Sequence, residues 1–185
     1  MDDVVISLAK HLNKENIIWG IGGSYLLKEY GIVDEVHDLD IIVSEEDVKK
    51  TVEILDSIAE RKTIPVKNEY RTKHFHVYSY RGVSIDVMST FRIEHDNGVY
   101  EFLLDDQSIV LKQQKQGVII PFTSLEDWLI AYKLMKGREE KVELIEDYFR
   151  TEGLNHRELL ERTINQELPE EIREYIRNIL KQKSS

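Results

Sequence analysis

The apolar residues in the first third of the chain follow two different spacings. Val4, Val5, Leu8 and Leu12 recur every three or four residues, the period of an amphipathic helix. Ile17-Ile18-Trp19 is instead a short, β-branched run that favours a buried strand. The two patterns predict, in order, a helix over 2–14, a strand over 17–19, a short helix over 25–30 capped by Ser24 and closed by Gly31, a strand over 39–43 and a helix over 48–59.

Aromatic and β-branched residues change the pattern of the middle third. His74–Tyr80 and Val83–Met88 are both strand-like, and Arg81-Gly82 between them is typical of a tight turn. This segment therefore predicts a β-hairpin. Further short strands are predicted near Phe91–Glu94, Tyr100–Leu103, Ser108–Leu111 and Val118–Ile120.

Only helical spacing is found from Ser124 onward. Four helices are predicted there, the third opened by a capping box of Asn155 and Glu158 and the fourth by Pro169 in its first turn. The pattern as a whole predicts an α/β (α+β) unit over 1–122 and a C-terminal helical region over 123–185.

Composition narrows the classes of protein. The chain has 185 residues and no Cys, which excludes disulfide scaffolds, thiolate metal sites and cysteine nucleophiles. Its apolar runs are far shorter than the roughly 20 residues of a membrane-spanning helix. The acidic start, Met1-Asp2-Asp3, is unlike a secretory signal. We therefore expect a cytoplasmic protein with no membrane partner.

The charge is negative and uneven. The formal net charge is −10, and residues 1–50 hold 11 acidic residues against 5 basic ones. This balance disfavours a nucleic-acid partner without excluding one, because such binding needs a basic face. A concentration of carboxylates is a solvated face in most proteins and a cation site in some, so the positions of these acids decide the interpretation.

Two local features favour a cation and phosphate site. Gly22-Gly23-Ser24 lies between a predicted strand and a predicted helix, where the glycines allow close approach of a phosphate and the serine offers a hydroxyl. Asp38 and Asp40 alternate at the start of a predicted strand, so their carboxylates face the same side. Two like charges held together are tolerated where a cation lies between them.

A third acid, Asp86, lies within the apolar strand 84–88, where an unpaired carboxylate is costly. A salt bridge would be the usual explanation for one such acid. Together with Asp38 and Asp40, however, it adds an oxygen ligand for a hard cation such as Mg²⁺. A dinucleotide fingerprint is disfavoured, since Tyr25 stands where its third glycine belongs.

The order Gly-Gly-Ser, Asp-x-Asp, then a lone strand Asp resembles the signature of the nucleotidyltransferases of the polymerase-beta-like superfamily. The closest resemblance is to the small stand-alone members, the antibiotic and abortive-infection types. It implies the nucleotidyltransferase fold, with a mixed β-sheet flanked by helices in a catalytic domain over 1–122. It also implies that Asp38, Asp40 and Asp86 are catalytic ligands of two Mg²⁺ ions, with Mn²⁺ as a substitute. It also implies that Gly22, Gly23 and Ser24 bind the nucleotide phosphates, together with Lys133 on a later helix. Arg138 and Lys141 lie close behind Lys133, and the sequence leaves open whether these three cations contact phosphate or are solvated helix charges.

The function expected from this resemblance is transfer of a nucleoside monophosphate from an NTP, with ATP as the expected donor, to an acceptor that the sequence does not identify. Pyrophosphate would be released. The alternative is a catalytically silent domain of the same fold that binds a nucleotide or a partner protein. A dinucleotide-dependent oxidoreductase is a third hypothesis, which thermal shifts with NAD and with NTP·Mg²⁺ would separate.

Overall fold

The computed structural model describes residues 1–63 and 72–181. Its helices are α1 (Asp2–Lys14), α2 (Gly23–Glu29), α3 (Val48–Ile58), α4 (Leu125–Leu134), α5 (Glu139–Glu152), α6 (Arg157–Thr163) and α7 (Glu170–Lys181). Its strands are β1 (Trp19–Ile21), β2 (Asp38–Val43), β3 (Glu60–Lys62), β4 (His74–Tyr80), β5 (Val83–Ser89), β6 (Arg92–His95), β7 (Gly98–Glu101), β8 (Ile109–Lys115) and β9 (Val118–Thr123).

Seven of the described strands form one mixed sheet in the order β3-β4-β5-β2-β1-β9-β8. The pairs β2–β5 and β1–β9 are parallel, and the other pairs are antiparallel. β6 and β7 form a separate two-stranded sheet. The predicted mixed sheet with flanking helices is therefore confirmed.

Two tight turns shape the antiparallel parts of the main sheet. Arg81 and Gly82 join β4 to β5 with φ angles of 52° and 80°, and Gln116 and Gly117 join β8 to β9 with φ angles of 50° and 77°. Positive φ at both turn residues matches the right-handed twist of the paired strands. The hairpin predicted around Arg81-Gly82 is confirmed.

The two faces of the sheet differ in what covers them. On one face, Ser7 of α1 hydrogen-bonds Tyr80 at 2.9 Å, and the Tyr78 hydroxyl donates to Asp56 of α3 at 3.0 Å. Leu39 and Ile85 are buried on this face in register with Tyr78. Because side chains alternate along a strand, the residues next to them, such as Asp40 and Asp86, lie on the opposite face.

The helical region begins where predicted and packs into the same core. Ser124 caps α4, since its hydroxyl accepts a hydrogen bond from the Asp127 main-chain N–H at 3.0 Å. All residues of α4 from Leu125 to Tyr132 are buried, and Trp128 packs against Phe91 and Phe102. The division of the chain at residue 122 stays a prediction.

One predicted helix start is wrong. α6 begins at Arg157 with His156 as its N-cap residue, and no side chain caps it, so Asn155 and Glu158 do not form the expected capping box. The Glu158 carboxylate instead approaches His156 Nδ1, at 3.5 Å. None of the helices within the described ranges combines the length and apolarity that crossing a bilayer requires.

Candidate active site

Three aspartates lie together on the sheet face opposite α1 and α3. Asp38 and Asp40 are two residues apart in β2, so both point to this face. The parallel register of β2 and β5 places Asp86 directly beside Asp40. The sequence predicted the Asp38–Asp40 pair from its spacing, and the strand pairing adds Asp86 to it.

The charges of these three groups act on one another. Burial and, to a smaller extent, the charges of Asp38 and Asp86 together raise the pKa of Asp40 from 3.8 to about 7, although Lys141 and Arg138 partly offset the shift. A carboxylate with such neighbours is under-compensated, because like charges disfavour ionisation in a poorly solvated place. The nearby cations therefore do not fully compensate the negative charge of the three aspartates, and a bound cation would stabilise their ionised form.

The glycine turn lies against this acidic group. Gly22 lies between the end of β1 and the start of α2, and its main-chain N–H donates to the Asp40 carbonyl at 3.0 Å. Gly23 has φ +59°, and a Cβ atom there would lie 1.8 Å from Asp40 Oδ2. Any other residue at position 23 would thus displace the carboxylate and strain the backbone. The turn and the acids form one unit.

Trp128 of α4 supports the same turn from the other side. A Cβ atom at Gly22 would lie 2.1 Å from the indole ring, so the ring occupies the space beside that glycine. The indole N–H donates to Thr123 Oγ1 at 2.9 Å, and the Thr123 hydroxyl donates to the Ile21 carbonyl at 2.9 Å. The start of the helical region is therefore hydrogen-bonded to the end of β1.

Ser24 binds a lysine instead of capping its helix. α2 begins at Gly23 with Gly22 as its N-cap residue and without a side-chain cap, so the predicted capping role of Ser24 is wrong. Lys141 of α5 donates from Nζ to Ser24 Oγ at 2.6 Å and lies 5.1 Å from the ring centre of Tyr132. Burial and Arg138 lower the pKa of Lys141, while Asp40 and Asp38 oppose that change.

Lys133 lies elsewhere. Its ammonium is 3.7 Å from Glu146 and 4.2 Å from the ring centre of Tyr175, so its contacts are with α5 and α7. The structure thus brings together Gly22, Gly23, Ser24, Asp38, Asp40 and Asp86, and it adds Lys141 where the sequence predicted Lys133. The nucleotide-binding role of Lys133 stays a prediction.

Comparison with solved structures places this architecture among known proteins. TM1012 of Thermotoga maritima, which is classed as a nucleotidyltransferase, matches with a TM-score of 0.58 and 26% identity, over 80% of this chain and 92% of that one. The chain has the nucleotidyltransferase fold. The predicted resemblance to nucleotidyltransferases is confirmed at the level of the fold.

Two antibiotic adenylyltransferases share this nucleotidyltransferase fold. LnuA, solved with lincomycin bound, matches with a TM-score of 0.54 and 11% identity, over 79% of this chain and 96% of that one. ANT(2'')-Ia, solved with adenylyl-2''-tobramycin, matches with a TM-score of 0.50 and 12% identity, over 83% of this chain and all of that one. At these identities the likeness concerns the fold alone. No protein-family model and no curated protein matches the sequence.

The three aspartates at the site of this nucleotidyltransferase fold have the ligand atoms that a hard divalent cation prefers. Asp38, Asp40 and Asp86 offer only carboxylate oxygens, which Mg²⁺ and Mn²⁺ prefer, and a cation would relieve the repulsion that raises the pKa of Asp40. Within residues 1–63 and 72–181, no three acidic or histidine side chains are gathered tightly around one point as a finished ligand cluster. The donor chemistry fits the metal, although the side chains are not closed around it.

Sequence reasoning missed two aromatic residues of this site. The helical spacing of Trp128 and Tyr132 predicts that both belong to the core, and both are buried. They also form the α4 face beside the glycine turn and Lys141. The two residues are four positions apart, but α4 is buried on every side from Leu125 to Tyr132, so no pattern of buried and exposed positions marks one face as the site.

Proposed function

We propose that this protein transfers a nucleoside monophosphate from ATP to an acceptor and releases pyrophosphate. The observation that carries the proposal is the contact of Gly23 with Asp40, by which the glycine turn lies directly beside the carboxylates of β2 and β5. A phosphate held at the turn would lie next to the groups suited to a divalent cation. Nucleotidyltransferase neighbours support this chemistry.

We assign each of the three aspartates a role according to its position. Asp38 and Asp40 would hold both Mg²⁺ ions and Asp86 the ion on the acceptor side; the ions would supply charge neutralisation for the attacking oxygen and the leaving pyrophosphate. A carboxylate oxygen of Asp86 would take the proton of the attacking hydroxyl. The hydroxyl oxygen of the acceptor would form the new bond to the α-phosphorus. The bond between the α-phosphorus and the oxygen of the leaving pyrophosphate would break.

Lys141 would hold the phosphates of the donor. Its ammonium already binds Ser24, at the residue after the two glycines, and it is partly buried beside Tyr132. A desolvated ammonium is a strong partner for a phosphate oxygen. We expect Lys141→Ala to weaken Mg·ATP binding about tenfold, the typical loss for a charged hydrogen bond. Lys133→Ala is the matched control, and the opposite ranking would assign the phosphate contact to Lys133.

Asp86→Asn tests whether the protein is an enzyme or a binding domain. Asp86 would act mainly on the acceptor side, so the variant should keep the thermal shift given by Mg·ATP and lose transfer by about 10²-fold or more. The measurement is pyrophosphate release with Mg²⁺ and each labelled NTP in a whole-cell extract, which also shows whether label enters protein, RNA or a small molecule. Normal release by the variant would remove Asp86 from the mechanism. A wild-type protein that binds NTP but releases no pyrophosphate would favour the catalytically silent domain.

The acceptor is proposed only as a nucleophile with a hydroxyl or phosphate oxygen. The net charge of −10 disfavours a long nucleic acid and is compatible with a cationic small molecule. ATP as the donor and the cytoplasm as the location belong to the same proposal and rest on the sequence.

A further inference from the structure

Tyr132 carries a buried hydroxyl without a hydrogen-bond partner among the described residues. The residue is 3% exposed, and its hydroxyl is one of four such buried side-chain N or O atoms in that part of the chain. A buried polar group without a partner destabilises the folded state, so such a group calls for an explanation. A ligand that supplies the missing acceptor is one explanation with testable consequences.

The surroundings of this hydroxyl indicate the chemistry of that ligand. Lys141 Nζ lies 5.1 Å from the ring centre of Tyr132 and 2.6 Å from Ser24 Oγ, so the same cation touches the phosphate-binding turn and the tyrosine. Burial and the charges of Asp40 and Asp38 raise the pKa of Tyr132, and Arg138 opposes the effect of the acids. The phenol therefore stays protonated, as a hydrogen-bond donor beside two cations.

We propose that the Tyr132 hydroxyl donates a hydrogen bond to a phosphate oxygen of the bound nucleoside triphosphate. This assignment rests on the proposed function, since it requires that the glycine turn holds a triphosphate. In the bound state the phosphate oxygen would accept from both Tyr132 and Lys141, and the buried hydroxyl would gain the partner that it lacks without ligand. An acceptor that carries negative charge strengthens such a bond.

The experiment uses Tyr132→Phe, which removes only the hydroxyl. Without ligand, the variant should unfold in urea at the same midpoint as the wild type or a higher one, because no hydrogen bond is lost. By calorimetry, its affinity for Mg·ATP and for Mg²⁺ with inorganic tripolyphosphate should each fall about tenfold. Tripolyphosphate has neither base nor ribose, so it isolates contacts to the phosphates.

Tyr78→Phe is the matched control. Tyr78 is fully buried on the opposite face of the sheet, and its hydroxyl is bonded to Asp56 at 3.0 Å. Its loss should lower the urea midpoint and leave both affinities unchanged.

Each remaining outcome counts against the assignment. A lower midpoint for Tyr132→Phe would show that the hydroxyl has a partner within the protein. Unchanged affinity for ATP would remove Tyr132 from the site, and a loss confined to ATP would move the contact to the base or ribose. If the wild type binds no NTP with Mg²⁺, the proposed function fails together with this inference, whereas wild-type binding with an unaffected variant overturns the Tyr132 contact alone.

Discussion

Asp40 is constrained through both its main chain and its side chain. Its carbonyl accepts the Gly22 N–H, its carboxylate lies where a side chain at Gly23 would be, and Asp86 is its register partner. A charge in this position costs stability in the absence of a cation, since burial and two like charges oppose its ionisation. The residue therefore combines a structural cost with the metal-binding role that we propose for it.

Asp40→Asn should separate the two effects. At pH 8, above the raised pKa, the substitution removes a repelled charge, so the melting temperature of the metal-free protein should be unchanged or a few degrees higher, at roughly 2–4 °C per kcal/mol. The thermal shift given by Mg·ATP should disappear with the lost ligand. Scanning calorimetry with and without Mg·ATP measures both. A variant that keeps the wild-type shift would show that Asp40 holds no ion.

Gly23→Ala tests the closeness of the turn to the acids. Alanine at φ +59° costs about 1–2 kcal/mol, and its Cβ would push Asp40 Oδ2 aside, so Mg·ATP affinity should fall at least tenfold. Gly31→Ala is the control, because Gly31 has φ +69° but no atom within 4 Å of the added Cβ. It should lose only the stability that the positive φ costs, measured in urea, and keep the affinity. Equal affinities in both variants would contradict a phosphate site at Gly23.

For single residues, the sequence predicts a shared location where it follows from local spacing. It does not predict a contact that depends on how distant elements pack. The alternation of Asp38 and Asp40 is enough to put them on one face. The contact of Lys141 with Ser24 depends on how α5 lies against α2, 117 positions away in the chain, and nothing local records that. Lys133, the better match by position, lies between Glu146 and Tyr175 for the same reason.

Among the elements, α4 carries an acid inside the core. The Asp127 carboxylate is 1% exposed, accepts from the Ser124 hydroxyl at 2.8 Å and lies 3.7 Å from Arg162 Nη2. Burial raises its pKa to about 6, with smaller contributions in the same direction from Glu126 and Asp105, while Ser124 and Arg162 oppose the shift. The first turn of the helix thus contains a group that resists ionisation.

The stability of the protein should consequently respond to pH through Asp127. The folded pKa of about 6 exceeds the usual 3.8, so the folded state retains a proton that the unfolded chain releases between about pH 4 and pH 6. This contribution to stability is full below pH 4 and is lost as the pH rises to 6. The difference in unfolding free energy between Asp127→Asn and the wild type should therefore move in favour of the variant across that window.

Urea unfolding at several pH values between 4 and 7 measures this difference. Asp34→Asn, which removes the same charge from an exposed loop position, is the control and should show little change across the window. A difference for Asp127→Asn that is constant with pH would contradict the assigned shift.

Elements with a strong repeating pattern are predictable. The helix predicted over 2–14 matches α1, and the hairpin follows from Arg81-Gly82, because both depend on neighbouring residues. The start of α6 is mispredicted, since a capping sequence competes with the contacts of its surroundings: the His156 main-chain N–H donates to the buried Glu126 at 3.0 Å. Such a partner, 30 positions away, is invisible to local reasoning.

In the whole molecule, a pairing between strands distant in the sequence joins the two parts of the main sheet. Ile21 of β1 is the parallel partner of Phe122 in β9, and one continuous core cluster extends from Val4 in α1 to Ile179 in α7. The sequence predicted the strands and the helical region separately and could not give this order, because the pairing joins segments about 100 residues apart. The packing of α4 against the sheet has the same origin.

This continuity predicts a single cooperative unfolding transition. The two tryptophans are natural reporters, since Trp19 lies in β1 and Trp128 in α4, and both are buried. In Trp19→Phe and in Trp128→Phe, the remaining tryptophan's fluorescence and the far-ultraviolet circular dichroism should give the same urea midpoint within each variant. A fluorescence midpoint that departs from the dichroism midpoint in either variant would show that the sheet and the helical region unfold independently.

The contact of Trp128 with Gly22 has an evolutionary consequence. The indole fills the space that a side chain at position 22 would need, so a side chain can be added at position 22 only where residue 128 is smaller than Trp. Among homologous chains, a larger residue at the first position of the turn should appear together with a smaller one at the position of Trp128. Substitutions at these two positions, far apart in the gene, are therefore expected to be correlated among homologous chains.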